Sequence, residues 1–349
     1  MTARDRVEVV VIGAGAVGLA TARALARSGR EVLVLEQFRL GHDRGSSHGT
    51  SRVFRLAYDE ATWVQLAQEA LPLWRELEAE AGQDLLSLSG SLDTGRDPEQ
   101  ICDALESCGA AFELLEPGAV ERRFGIRLRE PAVFQPQGGV VWAKRTLAAL
   151  SRSVEVREET RAVSLAVHGS TVTVGTTQGA LEAGAVVVCA GAWAQPLLAT
   201  VGYELPVTVT RETVAYFAIE TERPVPPVLD WRMAEGWPGV QVYGLDGGDG
   251  RLKVGLHHAG READPDAEGE PDEAAVELAG EWATRTFTLA NEKPLGAETC
   301  LYTNTADESF VLERHGPIVV GSACSGHCFK FVPALGRRLA ALAEEALTS

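Results

Sequence analysis

Val9-Val10-Val11-Ile12-Gly13-Ala14-Gly15-Ala16-Val17-Gly18 is the stretch on which the fold turns. An apolar run stops at Gly13, glycines recur in the spacing G-x-G-x-x-G, and residues 19–28 continue at helical spacing. Residues 31–35 return to an apolar run, closed by Glu36. Strand, glycine turn, helix, strand and acid in this order specify a βαβ unit that binds a dinucleotide. Gly13 permits the sharp turn, Gly15 lets the backbone approach a pyrophosphate, and Gly18 lets the helix lie close on the strand. The helix start then offers unpaired N–H groups and a positive dipole end to phosphate. Glu36, 18 residues after Gly18, is placed to accept hydrogen bonds from ribose hydroxyls. The stretch leaves NAD and FAD open.

Working outward, a chain of 349 residues exceeds the usual range of a single core, so two domains or one enlarged α/β unit are expected. The 45% apolar and 23% charged content is that of a globular enzyme. No run approaches the ~20 apolar residues of a membrane span, and the first six residues lead straight into a strand, so a cytoplasmic location is expected. The 49 acidic against 32 basic residues argue against a nucleic-acid partner. Seven of those acids fall in 262–273, which reads as a solvated loop. Six cysteines in such a chain are not a disulfide framework. Cys324, His327 and Cys328 lack zinc-site spacing, and no metal is expected.

Periodicity predicts helices over 62–81, 97–108, 116–124, 144–150, 273–287 and 335–346, with Pro72 kinking or splitting the first. It predicts strands over 85–93, 207–210, 214–219, 239–243 and 252–256, and buried strands over 185–189 and 318–321. The expected fold class is α/β: a Rossmann-like dinucleotide domain from 1–82, 138–205 and 314–349, interleaved with a second domain from 83–137 and 206–313 on a mostly antiparallel sheet.

Four further stretches carry more specific information. They are Gly45-Ser-Ser-His48-Gly-Thr-Ser-Arg52-Val-Phe-Arg55, Val187-Val-Cys-Ala-Gly191-Ala-Trp193, Lys253-Val-Gly-Leu-His257, and Cys300-Leu-Tyr302-Thr together with Ser325-Gly-His-Cys-Phe-Lys330-Phe. In order and content the chain resembles the monomeric sarcosine oxidase and N-methyltryptophan oxidase family of flavoproteins. The resemblance implies FAD as the cofactor, joined through a thioether at Cys300, and a monomer. It implies a secondary amino acid as substrate, either N-methylated or cyclic, oxidised at C–N while O2 becomes H2O2. An alternative is a dehydrogenase that passes electrons to another acceptor.

Under this resemblance Arg55 and Lys330 bind the substrate carboxylate, Lys253 activates oxygen, and His257, Tyr302 and His48 complete the catalytic set. The cofactor set comprises Gly13, Ala14, Gly15, Ala16, Val17, Gly18, Glu36, Gln37, Arg44, Ser46, Ser47, His48, Arg52, Val53, Val163, Gly191, Trp193, Cys300, Gly326, His327, Phe329 and Lys330. Each has an ordinary structural reading: Arg55 salt-bridged, Lys330 solvated, Lys253 an exposed strand lysine, Cys300 a buried strand cysteine. Tyr243 is an undecided pocket aromatic, and His258 points away from His257 if the strand continues, as a surface residue. Cys328 stands where the family has a small residue such as glycine.

Overall fold

The computed structural model describes residues 6–221, 223–234, 236–322 and 324–348. The chain forms two compact units, Met1–His48 with Lys144–Val209 and Leu301–Ser349, and Gly49–Ala143 with Thr210–Cys300. These boundaries differ from the expected ones. Strands Ser51–Phe54, Gly139–Trp142 and Leu86–Ser87 form one three-stranded sheet, which keeps 49–82 and 138–143 in the second unit. Leu301 joins the first unit, where its N–H donates to the Gly45 carbonyl at 2.9 Å.

The first unit is built on an eight-stranded sheet. Strand β1 (Arg6–Ile12) pairs in parallel with β2 (Val32–Leu35) and with Gly179–Val188. Strand Ile318–Ser322 adds in parallel to Gly179–Val188, and Glu155–Arg157 to β2. The apolar runs read from the sequence are this parallel centre, and Val9, Val10, Val11, Val186, Val187 and Val188 are fully buried. Helix α1 (Ala16–Arg27) runs against the closing helix Val332–Leu347, where a Cβ on Gly336 would lie 2.7 Å from the Ala20 backbone.

The second unit holds a nine-stranded sheet. One face of its strands Thr208–Ile219, Gln241–Gly248 and Arg251–His257 presents Ala215, Phe217, Val242, Leu252, Val254 and Leu256. These pack with Ala279, Trp282 and Ala283 of helix Glu273–Thr286. The helix is capped by Asp272, whose Oδ1 accepts the N–H groups of Ala274 at 3.0 Å and Ala275 at 3.2 Å. The last acid before that helix is therefore a cap.

Three expectations change. Helix Ala61–Ala81 runs through Pro72 without a break, because Leu73, Trp74 and Leu77 are buried beyond it. That burial offsets the roughly 3 kcal/mol that an interior proline costs. The expected strand over 85–93 becomes Leu86–Ser87 and Ser91–Thr94, divided at Gly90, whose φ is +80°. The strands expected over 207–210 and 214–219 are one, Thr208–Ile219. Its middle holds the buried Glu212 carboxylate, which accepts the N–H groups of Ala259 at 3.0 Å and Gly260 at 2.8 Å. Among the described residues no helix is long and apolar enough to cross a membrane.

Candidate functional site

In the first unit the glycine turn is a fitting of backbone on backbone. Gly13 has φ +103°, and a Cβ there would lie 2.4 Å from the Cys189 carbonyl oxygen. A Cβ on Gly18 would lie 1.9 Å from the Gly13 oxygen, and one on Gly15 would lie 3.2 Å from Ser47 Oγ. Helix α1 begins after Gly15 with no side-chain cap from that residue, and Ser47 Oγ instead accepts the Ala16 N–H at 3.0 Å. The buried Glu36 carboxylate accepts the Ala14 N–H at 2.8 Å and the Phe38 N–H at 3.0 Å. It is thereby fixed at the turn beside Gln37. Thr160 donates its N–H to the Glu36 carbonyl at 2.7 Å, and Val163, 49% exposed, follows three residues later.

Beyond Glu36 the loop is organised by aromatic contacts. The Phe38 ring stands 5.6 Å from Trp193 and 4.8 Å from His42, and the Arg44 guanidinium lies 5.5 Å over Phe38. Gly191 at φ +51° turns the chain into the helical turn that holds Trp193. Ser46 Oγ donates to the Leu301 carbonyl, so the loop is bonded to the strand Leu289–Asn304. Tyr302 on that strand is buried, and its ring fills the place a Gly326 Cβ would take, at 2.2 Å. His48 is half-buried at the end of the same loop.

Lys330 is 5% exposed, donates to the His327 carbonyl at 2.6 Å and lies 5.1 Å over the Phe331 ring. It is not a solvated lysine. His327 is half-buried, its Nε2 is 3.0 Å from the Glu308 carbonyl, and Phe329 is buried. This unit fits the dinucleotide part of a cofactor. A fixed, buried carboxylate stands beside a glycine turn that no side chain fills, at the start of a helix.

The second unit gathers the other residues on the face opposite its core. Register pairs Lys253 with Tyr216 and Leu245, and Tyr243 with Gly255, so Tyr216, Tyr243, Lys253 and His257 share this face. Tyr243 lies across Gly255, where a Cβ would be 2.4 Å from its hydroxyl. His258 does not point away from His257. The strand ends at His257, His258 turns to φ +58°, and the two rings lie 4.1 Å apart.

Lys253 is 5% exposed, which sets aside the exposed-lysine reading. Its Nζ donates to the Ser51 carbonyl at 3.2 Å. Burial, helped by the positive Arg52, pulls it down from 10.5 to about 7, while Cys300 and Glu298 oppose the change. A Cβ on Gly49 would stand 3.6 Å from Arg52 Nη1, 3.6 Å from Glu298 Oε2 and 3.8 Å from Lys253 Nζ, so three charges converge on that glycine. Tyr216 donates its hydroxyl to Glu298 Oε2 at 3.0 Å, and burial pushes its phenol up to about 12. Val53 and Cys300 are half-buried in this unit.

Arg55 is 4% exposed and does have the salt bridge of its ordinary reading: Nη1 is 3.3 Å from Asp93 Oδ1 and also donates to the Ala57 carbonyl. Its guanidinium stacks 3.8 Å over Tyr58 and 5.0 Å from Trp231, which donates Nε1–H to the same Asp93 oxygen at 3.0 Å. Arg96, ion-paired with Asp59 at 3.0 Å, lies 4.1 Å over Trp231. Asp93, Tyr58, Tyr216 and Glu298 escaped sequence reasoning. Only strand register shows that Tyr216 shares a face with Lys253, and only folding brings Asp93 to Arg55.

A family model described as FAD dependent oxidoreductase matches residues 8–342. The chain is 33% identical to a peroxisomal sarcosine oxidase of Homo sapiens, over 96% of this chain and 92% of that one. It is 33% identical to a monomeric sarcosine oxidase of Streptomyces avermitilis, over 96% and 93%. An N-methyl-L-tryptophan oxidase of Yersinia pestis is 28% identical over 97% and 95%. Among solved structures, the Tyr258Phe mutant of NikD, an unusual amino acid oxidase essential for nikkomycin biosynthesis, superposes with a TM-score of 0.88. It is 28% identical and covers 98% of this chain and 94% of its own.

Proposed function

Because the chain belongs to the family of FAD dependent oxidoreductases, we propose that it is a flavin-dependent amine oxidase. Its substrate is a secondary α-amino acid, N-methylated or cyclic, and O2 is reduced to H2O2. The observation that carries the reading is Lys253, a buried lysine backed by a backbone carbonyl and facing Arg52, Glu298 and Cys300.

When bound, FAD supplies the acceptor for two electrons. The chain supplies the rest. The first unit acts as the cofactor domain, with Glu36 taking ribose hydroxyls and the start of α1 taking phosphate. Cys300 is the assigned point of attachment, because a thiolate can add at an electron-poor ring methyl. Arg55 and Lys330 are the assigned carboxylate ligands. Arg55 is already neutralised in part by Asp93, and the Lys330 ammonium is held by the His327 carbonyl. The substrate amine is held neutral, as loss of hydride from the adjacent carbon requires, and orientation contributes much of the acceleration. A positive Lys253 lowers the barrier to forming an anion from oxygen nearby. The protein is proposed to act as a cytoplasmic monomer.

Acid precipitation of the purified protein tests the cofactor half. Yellow colour should stay with the pellet in the wild type and leave it in Cys300→Ser, and a colourless protein ends the reading. Reoxidation kinetics test the other half. Lys253→Met should slow the reaction of the reduced enzyme with O2 by orders of magnitude, whereas an unchanged rate would favour a dehydrogenase with a different acceptor.

A further inference from the structure

The segment Cys324-Ser-Gly-His-Cys328 is not accounted for by the proposed catalytic roles. Its backbone is folded tightly. His327 N–H donates to the Cys324 carbonyl at 2.9 Å, Ser325 and Gly326 take φ +40° and +72°, and a short helical turn begins at Cys328. The reversal sets the two cysteines at the two ends of one tight turn, near enough for Cys328 to be the largest influence on the Cys324 thiol. Cys324 Sγ donates to Ser46 Oγ at 3.9 Å, and the backbone N–H groups of Thr303 and Gly326 face the same sulfur. The Cys328 side chain, the largest cause, and the two backbone N–H groups favour the thiolate and hold the Cys324 thiol down at about 6 against the raising effect of burial. The contrast lies in the same unit: at Cys189 burial outweighs the single lowering contact, from Thr21, and pushes the thiol up to about 12. None of the six cysteines lies in a disulfide, and both members of this pair are half-buried rather than sealed.

We propose that Cys324 and Cys328 form a peroxide-reactive dithiol, in which Cys324 is the nucleophile and Cys328 the resolving thiol. The Cys324 thiolate attacks one oxygen of hydrogen peroxide, the O–O bond breaks, and hydroxide leaves to take up a proton as water, so that Cys324 becomes a sulfenic acid. The Cys328 sulfur then attacks the Cys324 sulfur, an S–S bond forms, and the sulfenic oxygen leaves as a second water with the Cys328 proton. Two thiols are oxidised by two electrons and one peroxide is reduced to two waters. Hydrogen peroxide is the product of the reaction proposed above, yet this inference stands without that reading, since the test supplies peroxide from outside. The cross-link would also bear on Lys330, which lies in the turn that Cys328 begins and whose ammonium is bonded to the His327 carbonyl at 2.6 Å.

Trypsin releases both cysteines, and no other, in the single peptide 315–330. The isolated protein, with whatever flavin it carries, is treated with increasing hydrogen peroxide, alkylated and digested. Peptide 315–330 should lose both alkylation sites and two hydrogens at peroxide levels that leave Cys102, Cys108, Cys189 and Cys300 unmodified. In Cys328→Ser the reaction should stop at a sulfenic acid on Cys324, trapped by dimedone, and Cys324→Ser should leave Cys328 alkylatable. Earlier oxidation of any other cysteine, or dimedone capture at Cys328 in place of Cys324, overturns the assignment. The wild-type peptide measurement needs no variant, so a failure of either serine variant to fold leaves the proposal testable.

Discussion

Lys253→Met exchanges a buried ammonium for an apolar chain of similar length, and the site sets how the effect depends on pH. In the fold Lys253 titrates at about 7, while the unfolded chain holds its proton to the ordinary 10.5. Between these values the unfolded chain keeps a proton that the folded chain has released, so the wild type gains stability as pH rises. Below about 7 both states are protonated, and the full cost of burying the charge remains. A gap of this size corresponds to at most about 5 kcal/mol, of which roughly 2 to 3 kcal/mol is recovered between about pH 6 and pH 9. The methionine variant carries none of this dependence. Urea unfolding of flavin-free wild type and variant, compared at those two pH values, should show the stability difference move by that amount in favour of the wild type at the higher pH. A difference that is flat with pH, or that moves the other way, refutes the reasoning. The protein has only four lysines, 144, 253, 293 and 330, so the lysine ε-carbon resonance can be assigned with the same variant. A titration at the ordinary lysine value would refute it independently.

The remaining predictions concern packing and pairing. Gly18→Ala places a methyl 1.9 Å from the Gly13 oxygen, so the turn must open and flavin absorbance should be lost from the purified protein. Asp93→Ala leaves the Arg55 guanidinium buried without its carboxylate; this should cost about 3–5 kcal/mol, read as a lower midpoint in denaturant. Gly326→Ala meets the Tyr302 ring at 2.2 Å and forces a strained φ, and relief by the double variant with Tyr302→Ala, seen as a recovered melting temperature, would show that the ring is the obstacle.

The parts of the fold legible in the sequence were those set by local pattern. The turn at 13–18 and its acid at 36 needed only spacing, and the parallel strands needed only unbroken apolar runs. Lys253 was placed on the right face by simple alternation, yet alternation could not say whether that face was wet. Its burial depends on Ser51, Tyr216 and Glu298, which arrive from other strands. The same holds for Arg55, whose partner Asp93 belongs to a strand fixed by sheet order. The direction of His258 depends on where the strand stops: it ends at His257, and a left-handed residue follows, so the parity of a continuing strand does not apply. Spacing tests Cys324 and Cys328 only as metal ligands, because the backbone N–H groups that face the Cys324 sulfur leave no mark on composition.

Residues 45–47 tie two separate pieces of the first unit, the helix start at Ala16 and the strand at Leu301, within three positions. Ser47 takes the Ala16 N–H, Ser46 grips the Leu301 carbonyl, and the Gly45 carbonyl takes the Leu301 N–H. The segment thus works as a gauge block between the helix start and the strand that carries Tyr302. Its length, rather than the chemistry of any side chain, sets the span available to a molecule that must reach from one to the other. An inserted residue here would leave both ends intact and spoil the interval between them.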